Sequence, residues 1–279
     1  MAQYRHYTKN QMAGAFNQFA GEKIEGRPDQ GIFDLATTQN YRIGARYVEP
    51  HPFGRTFRYS YAAGDLAGLA RLVINSNYAP GVTGHENEDG FEGVLHAEAA
   101  IGQTYVDIAD TNLRAANFYE GGLFVAFGTN IFHQHYIVSS QAGNGTYVRL
   151  WLADPIVIEA IDVADGVTAY RSPYSAVQAA MSVQQEFEPF VGLNLKGLAA
   201  GNYFWMMTAG PCIVTAHGGT WPGSAAHLRD VYAWMDGTID PATVADPSLG
   251  YQRVGYLLSA TGGTGADYGD MFIMLQLDK

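Results

Sequence analysis

Residues 131–155 read IFHQHYIVSSQAGNGTYVRLWLADP. Two runs rich in aromatic and β-branched residues flank Asn144-Gly145, and such a pair between strand-like runs is a strong short-range hairpin signal. A type I′ turn, with positive φ at both central residues, is the expectation for Asn144 and Gly145. Working outward, GRTFRYSY (54–61) places Phe57, Tyr59 and Tyr61 alternately with Thr56, Arg58 and Ser60, the period of two of a half-buried strand. YRIGARYV (41–48) stands as its hairpin partner across a corner made by Pro50 and Pro52.

Further strands are expected in QTYVDIAD (103–110), GGLFVAFG (121–128), VIEAIDV (157–163), NYFWMMT (202–208) and MFIMLQL (271–277). Composition agrees with them. The chain of 279 residues holds 33 glycines, well above the usual frequency of about 7%, and 13% aromatics. Glycine serves turns while aromatics suit pleated surfaces. Helical periodicity is confined to three short stretches, 8–20, 174–185 and 224–236. The fold class is therefore mainly β: one or two small β barrels or sandwiches with short helical inserts and an extended N-terminal arm. The expected division is an arm over 1–40, a β domain over 41–163, a connecting segment over 164–189 and a second β domain over 190–279.

Charge narrows the partners. The net charge is −11, and residues 1–60 carry eight basic against five acidic side chains, a net of +3 that leaves −14 for the rest. Such a chain is ill suited to phosphate backbones or anionic bilayers, so neither nucleic acid nor membrane is an expected partner. No apolar run approaches a membrane span, and the opening MAQYRHYTKNQMAG lacks the apolar core of a signal peptide, which reads as a soluble protein made in the cytosol. Cys212 is the single cysteine, so no disulfide within the chain is possible.

Catalytic signatures are missing. There is no Gly-x-Ser-x-Gly elbow, and His217-Gly218-Gly219 without one reads as a turn. The glycines of GGTGADYG (262–269) lack the Lys-Ser/Thr of a phosphate loop. Cys212 sits at a strand start as a small buried hydrophobe. The run from His85 to Gly90, with Glu92, gathers oxygen ligands but not at EF-hand spacing, and reads as a solvated acidic loop. His133 and His135, two apart on a strand, leave the same face and can chelate Zn²⁺ if a neighbouring strand brings a third ligand. Without that ligand in view no metal is assigned, and no cofactor is expected.

Four segments resemble structural proteins of tailed bacteriophages: RIGARYVEPHPFGRTFRYSYAAGDLAGLARLV (42–73), IGQTYVDIADTNLRAANFYEGGLFVAFGTN (101–130), FVGLNLKGLAAGNYFWMMTAGPCIV (190–214) and RVGYLLSATGGTGADYGDMFIMLQL (253–277). The last two are similar to segments of capsid auxiliary proteins. The resemblance implies a non-enzymatic decoration or cement protein on the capsid exterior of the virion, made in the host cytoplasm. Its implied partners are the major capsid protein and copies of itself, commonly in a trimer. The arm residues Arg5, Lys9, Lys23 and Arg27 are the candidate partner contacts, complementing acidic capsid surface. Two other readings stand beside it. One is a tail, baseplate or fibre-base protein recognising host glycan through Trp205, Trp221, Tyr232 or Trp234. The other is a β-rich glycan hydrolase, or a metal-dependent hydrolase using His133 and His135. A major capsid protein ranks below these, because its long helix is not visible in the sequence.

Overall fold

The structure is a computed structural model and describes residues 23–24, 28–50, 54–68, 70–75, 90–180, 189–217, 229–241, 252–260 and 271–278. Among them the chain is all β. In order the strands are β1 (Lys23–Ile24), β2 (Arg46–Val48), β3 (Thr56–Tyr61), β4 (Leu72–Asn75), β5 (Gly90–Val94), β6 (Tyr105–Ile108), β7 (Leu123–Phe127), β8 (Phe132–Ser140) and β9 (Val148–Leu152). They continue with β10 (Gly166–Tyr170), β11 (Val177–Ala179), β12 (Phe190–Leu193), β13 (Tyr203–Ile213), β14 (Asp230–Ala233), β15 (Ile239–Pro241), β16 (Arg253–Ala260) and β17 (Met271–Gln276). The expected helices over 174–185 and 224–236 are replaced, where described, by β11 and β14. Val177 and Val231 are both fully buried in these strands, so the apolar residues that suggested a helical stripe serve sheets instead. The expected helix over 8–20 lies outside the described residues.

Two compact units form, and their boundaries differ from the expected sequential domains. Unit 1 comprises 1–23, 42–44 and 77–173; unit 2 comprises 24–41, 45–76 and 174–279. The main segment of unit 1, 77–173, is thus an insertion between β4 and β11, and those two strands pair directly with each other, Asn75 opposite Val177. An insertion is tolerated where its two ends leave the host close together. Unit 2 accordingly completes its sheet with strands from both sides of the insert.

Unit 1 is a six-stranded antiparallel sheet in the order β5-β10-β7-β8-β9-β6. Its two outer strands meet at one end, where Leu95 bridges Ile108, the His96 amide donates to the Asp107 carbonyl at 2.7 Å and the Ala109 amide to the Val94 carbonyl at 3.1 Å. The sheet is thereby drawn round toward a barrel, around Val106, Ile108, Tyr119, Phe124, Ile137, Leu150 and Val167. The β8–β9 hairpin forms as its sequence predicts, but not by a two-residue turn. Only Gly145 has positive φ (+83°), and the Asn144 side chain accepts from the Thr146 and Tyr147 amides, both at 2.9 Å. The side chain thus organises a longer loop in place of a type I′ turn. The strand expected over 157–163 is also not formed. Ile158 there has φ +73°, which breaks any extended run, and the next strand begins at Gly166.

Unit 2 is an eleven-stranded sheet whose main path is β1-β2-β3-β13-β17-β16-β14-β15, with β4, β11 and β12 attached beside β13. Its centre is β13, an apolar run buried on both sides. Phe204 and Met206 pack with Ala62, Leu66, Val73 and Val177 on one side. Trp205 on the other side lies among Tyr41, Tyr47 and Tyr59, at centroid separations of 5.2, 6.0 and 5.1 Å. Replacing a ring buried this way by alanine typically costs about 3–5 kcal/mol.

The expected arm over 1–40 also ends sooner than its glycines suggested. From Pro28 the chain is described, and 28–41 belong to unit 2, where Ala36 bridges Tyr203. Gln30 is buried there. Its backbone carbonyl takes the Trp205 indole N–H at 2.9 Å, and its side chain donates to the carbonyls of Asp34 and Tyr203. The same side chain accepts from the Tyr59 hydroxyl at 2.8 Å and from Asn40 at 2.9 Å.

Candidate functional site

On β8 the alternation places His133, His135 and Ile137 on the inner face of unit 1 and exposes Phe132 and Gln134. The antiparallel register sets His133 opposite Ala126 and His135 opposite Phe124, both core residues. The two imidazoles lie 5.9 Å apart and 18° from parallel, with 1% and 6% of their surfaces exposed. None of their four ring nitrogens makes a hydrogen bond of full geometry, although the Asp154 backbone comes close enough to His135 to favour its charged form. The shared face expected from the sequence is therefore present. The third ligand is not: among the described residues no group of three His, Cys, Asp or Glu side chains converges in a way that can hold a metal ion.

A second polar cluster lies at the end of β6. Asp110 is 1% exposed and fully engaged, accepting from the Tyr119 hydroxyl at 2.6 Å, the Asn112 amide at 2.9 Å, Asn112 Nδ2 at 2.7 Å and Arg114 Nε at 3.1 Å. Burial alone would push its carboxyl up, but these hydrogen bonds, led by Tyr119, outweigh it and hold the group below its ordinary range. The Tyr119 hydroxyl is pushed up, by burial first and then by donating to the carboxylate. A cleft of about 700 Å³ opens alongside, with Glu92, Asp110, Asn112, Arg114, Phe127 and Thr168 in its wall. Its described lining contains no histidine, cysteine, serine or lysine, and Asp110 is occupied by four donors.

At the β7–β8 turn the apolar side chains face water. Phe127 and Phe132 stack edge to face at 5.3 Å and are 50% and 65% exposed. The Glu159 carboxylate clasps this turn, accepting from the Asn130 amide at 3.0 Å, Asn130 Nδ2 at 2.7 Å and the Ile131 amide at 3.2 Å. Next to it Ile158, a β-branched residue, is held at positive φ and is exposed. Such a conformation costs of order 1–3 kcal/mol and persists only where its surroundings impose it, which the clasp at Glu159 does.

In unit 2 the polar groups are used for structure. Arg58 is buried, and its guanidinium grips Asp278 at 2.6 and 3.0 Å. Cys212 is a buried packing residue, as its neighbours in sequence suggested, but it lies next to the end of β13 and not at a strand start, and burial chiefly pushes its thiol up to about 12. His217 stacks on half-buried Trp234 at 4.4 Å, while Trp205 belongs to the core. Of the expected partner contacts, Lys23 lies in β1, the two-residue strand at one end of the sheet path. Arg5, Lys9 and Arg27 lie outside the described residues, as do Trp221, the acidic run 85–89 and the glycines of 262–269. Gln30 and the Arg58–Asp278 pair carry no sequence signal of their own, because their partners are remote along the chain.

Comparison with protein-family models, with curated proteins and with solved structures finds no match in any of the three.

Proposed function

We propose that this chain is a capsid decoration protein of a tailed bacteriophage, non-enzymatic and without a cofactor. It binds the outer surface of the head and stabilises contacts between major capsid subunits, and it acts as a homotrimer. The observation that carries this reading is how the described ionisable groups are used. Asp110, Arg114, Asp107, Arg149, Arg58 and Asp278 hold strands and loops to one another, and the hydroxyls that meet them, Tyr119 on Asp110 and Thr208 on Asp278, are buried. That is the pattern of a scaffold. The segments that resemble phage virion proteins support it further, since they supply β2, β3, β6, β7, β12, β13, β16 and β17, the framework of both sheets.

In this reading the basic N-terminal segment contacts the capsid through Arg5, Lys9, Lys23 and Arg27. Adding a strand to an exposed sheet edge is one way an extended segment docks, with main-chain hydrogen bonds giving affinity. The test mixes purified protein with heads that lack it and follows co-sedimentation and heat resistance of the heads. Association that raises their resistance is expected, and protein that stays in the supernatant with every head tested overturns the reading. A chain lacking residues 1–22, and with them Arg5 and Lys9, is expected to attach more weakly with the folding transition of unit 2 intact. The cut stops there because Gln30 is part of the core of unit 2.

The alternative is a tail, baseplate or fibre-base protein that recognises host glycan. It draws on Tyr232 and Trp234, both half-buried, the latter with one face already on His217. Copies per virion separate the two: hundreds for decoration, few for a tail part.

A further inference from the structure

We infer that the His133–His135 pair makes unit 1 selectively acid-sensitive: when His135 takes a proton, the six-stranded core loosens while unit 2 keeps its packing.

The inference rests on placement. A neutral imidazole carries one donor and one acceptor nitrogen, and burying either without a partner costs stability. Both rings here are more than nine-tenths buried, none of the four nitrogens makes a hydrogen bond of full geometry, and they share a face with Phe124, Ala126 and Ile137. A positive charge at His135 would sit against that apolar face with a second imidazole 5.9 Å away. Burying an uncompensated charge is far more costly than burying the neutral ring.

The groups that could offset it are few. From β7 the opposing residues are Phe124 and Ala126, which carry no charge. From the segment after β9, Asp154 favours the charged form of His135 through its carboxylate, which is exposed and screened by water, and through its backbone, and burial with His133 outweighs the two. Nearer His133 stands Glu159, whose oxygens are already taken by Asn130 and Ile131. Burial first, and the neighbouring His133 next, hold His135 below its ordinary value. Unit 2 has no counterpart among its described residues, since its buried cation, Arg58, is gripped by Asp278.

The sign follows from linkage. A histidine kept neutral in the folded state and free to titrate near 6.5 when unfolded leaves stability intact above that value and removes it as pH falls through it. By pH 5.0 one such histidine favours the unfolded form by up to about 30-fold.

The experiment is hydrogen exchange of the full chain at pH 7.5 and 5.0, corrected for the intrinsic rates. The amides of β7 and β8 are expected to lose protection at pH 5.0 by tenfold or more relative to those of β13 and β17. In the variant His135→Leu, similar in volume and unable to ionise, that differential loss is expected to vanish. Equal changes in both units of the wild-type chain overturn the inference, and so does a differential loss that persists in the variant. Should the leucine variant fail to fold, the wild-type comparison between units still decides.

Discussion

Unit 1 and unit 2 bury polar groups in opposite ways. Unit 2 places Arg58 in its interior with the Asp278 carboxylate across it, and Gln30 with a partner for each polar group of its side chain. Unit 1 does the same at Asp110 but leaves His133 and His135 against apolar neighbours without a side-chain partner. The difference is one of charge state. A guanidinium is always charged and cannot be buried alone, whereas an imidazole can enter a core by remaining neutral. The first arrangement needs the carboxylate ionised; the second holds only while the ring stays unprotonated.

The largest test of the comparison is to separate the units. Because Asn75 and Val177 pair across the insertion, replacing 77–173 by a short glycine-serine link is expected to leave unit 2 folded, with a cooperative urea transition of its own. A product that shows no such transition would mean that unit 2 depends on the insert. Next in size is Asp278→Ala, which leaves Arg58 buried without its carboxylate. A loss of about 3–5 kcal/mol is expected, seen as a lower urea midpoint for unit 2 alone. A midpoint within error of wild type would show that the pair is replaceable by water.

Asp110 offers a smaller effect of the same pH sense as His135, in a more acidic window. Its carboxyl is held below its unfolded value, so its contribution is full above about 4 and is lost as pH falls through the folded value. Asp110→Asn is expected to cost about 1–3 kcal/mol at pH 7 and to flatten the pH dependence of unit 1 below pH 4. A variant as acid-dependent as wild type in that range would assign the dependence elsewhere. The smallest effect concerns Cys212: with its thiol raised to about 12 by burial, native protein at pH 8 is expected to resist thiol reagents that label it promptly in urea. Prompt labelling of the native chain would show that β13 opens locally.

Strand content was legible because its signal is local. Phe57, Tyr59 and Tyr61 alternate along β3, and the runs around residues 105–108, 123–127 and 271–276 fall where the pattern places them. The pattern misled where one local signal stood for another. The alanines and valines of 174–185 and 224–236 suit a helix by spacing, yet Val177 and Val231 are buried in short strands whose partners decide their conformation. Ile158 shows the reverse, an apolar run prevented from extending by a clasp the sequence does not display. In the site, the shared face of His133 and His135 followed from their spacing, while the absence of side-chain partners depends on what β7 and the loop after β9 bring to them.

By itself the sequence determined that the chain is a β protein without a disulfide, punctuated by glycine and built from aromatic strands. Those properties follow from side-chain period and backbone preference, which act over a few residues. Only the tertiary structure decided that one β unit is inserted into another, that Gln30 belongs to a core, and that Arg58 meets Asp278. Pairings across such separations repay their loop-closure cost only when the whole sheet forms, so no short stretch of sequence announces them.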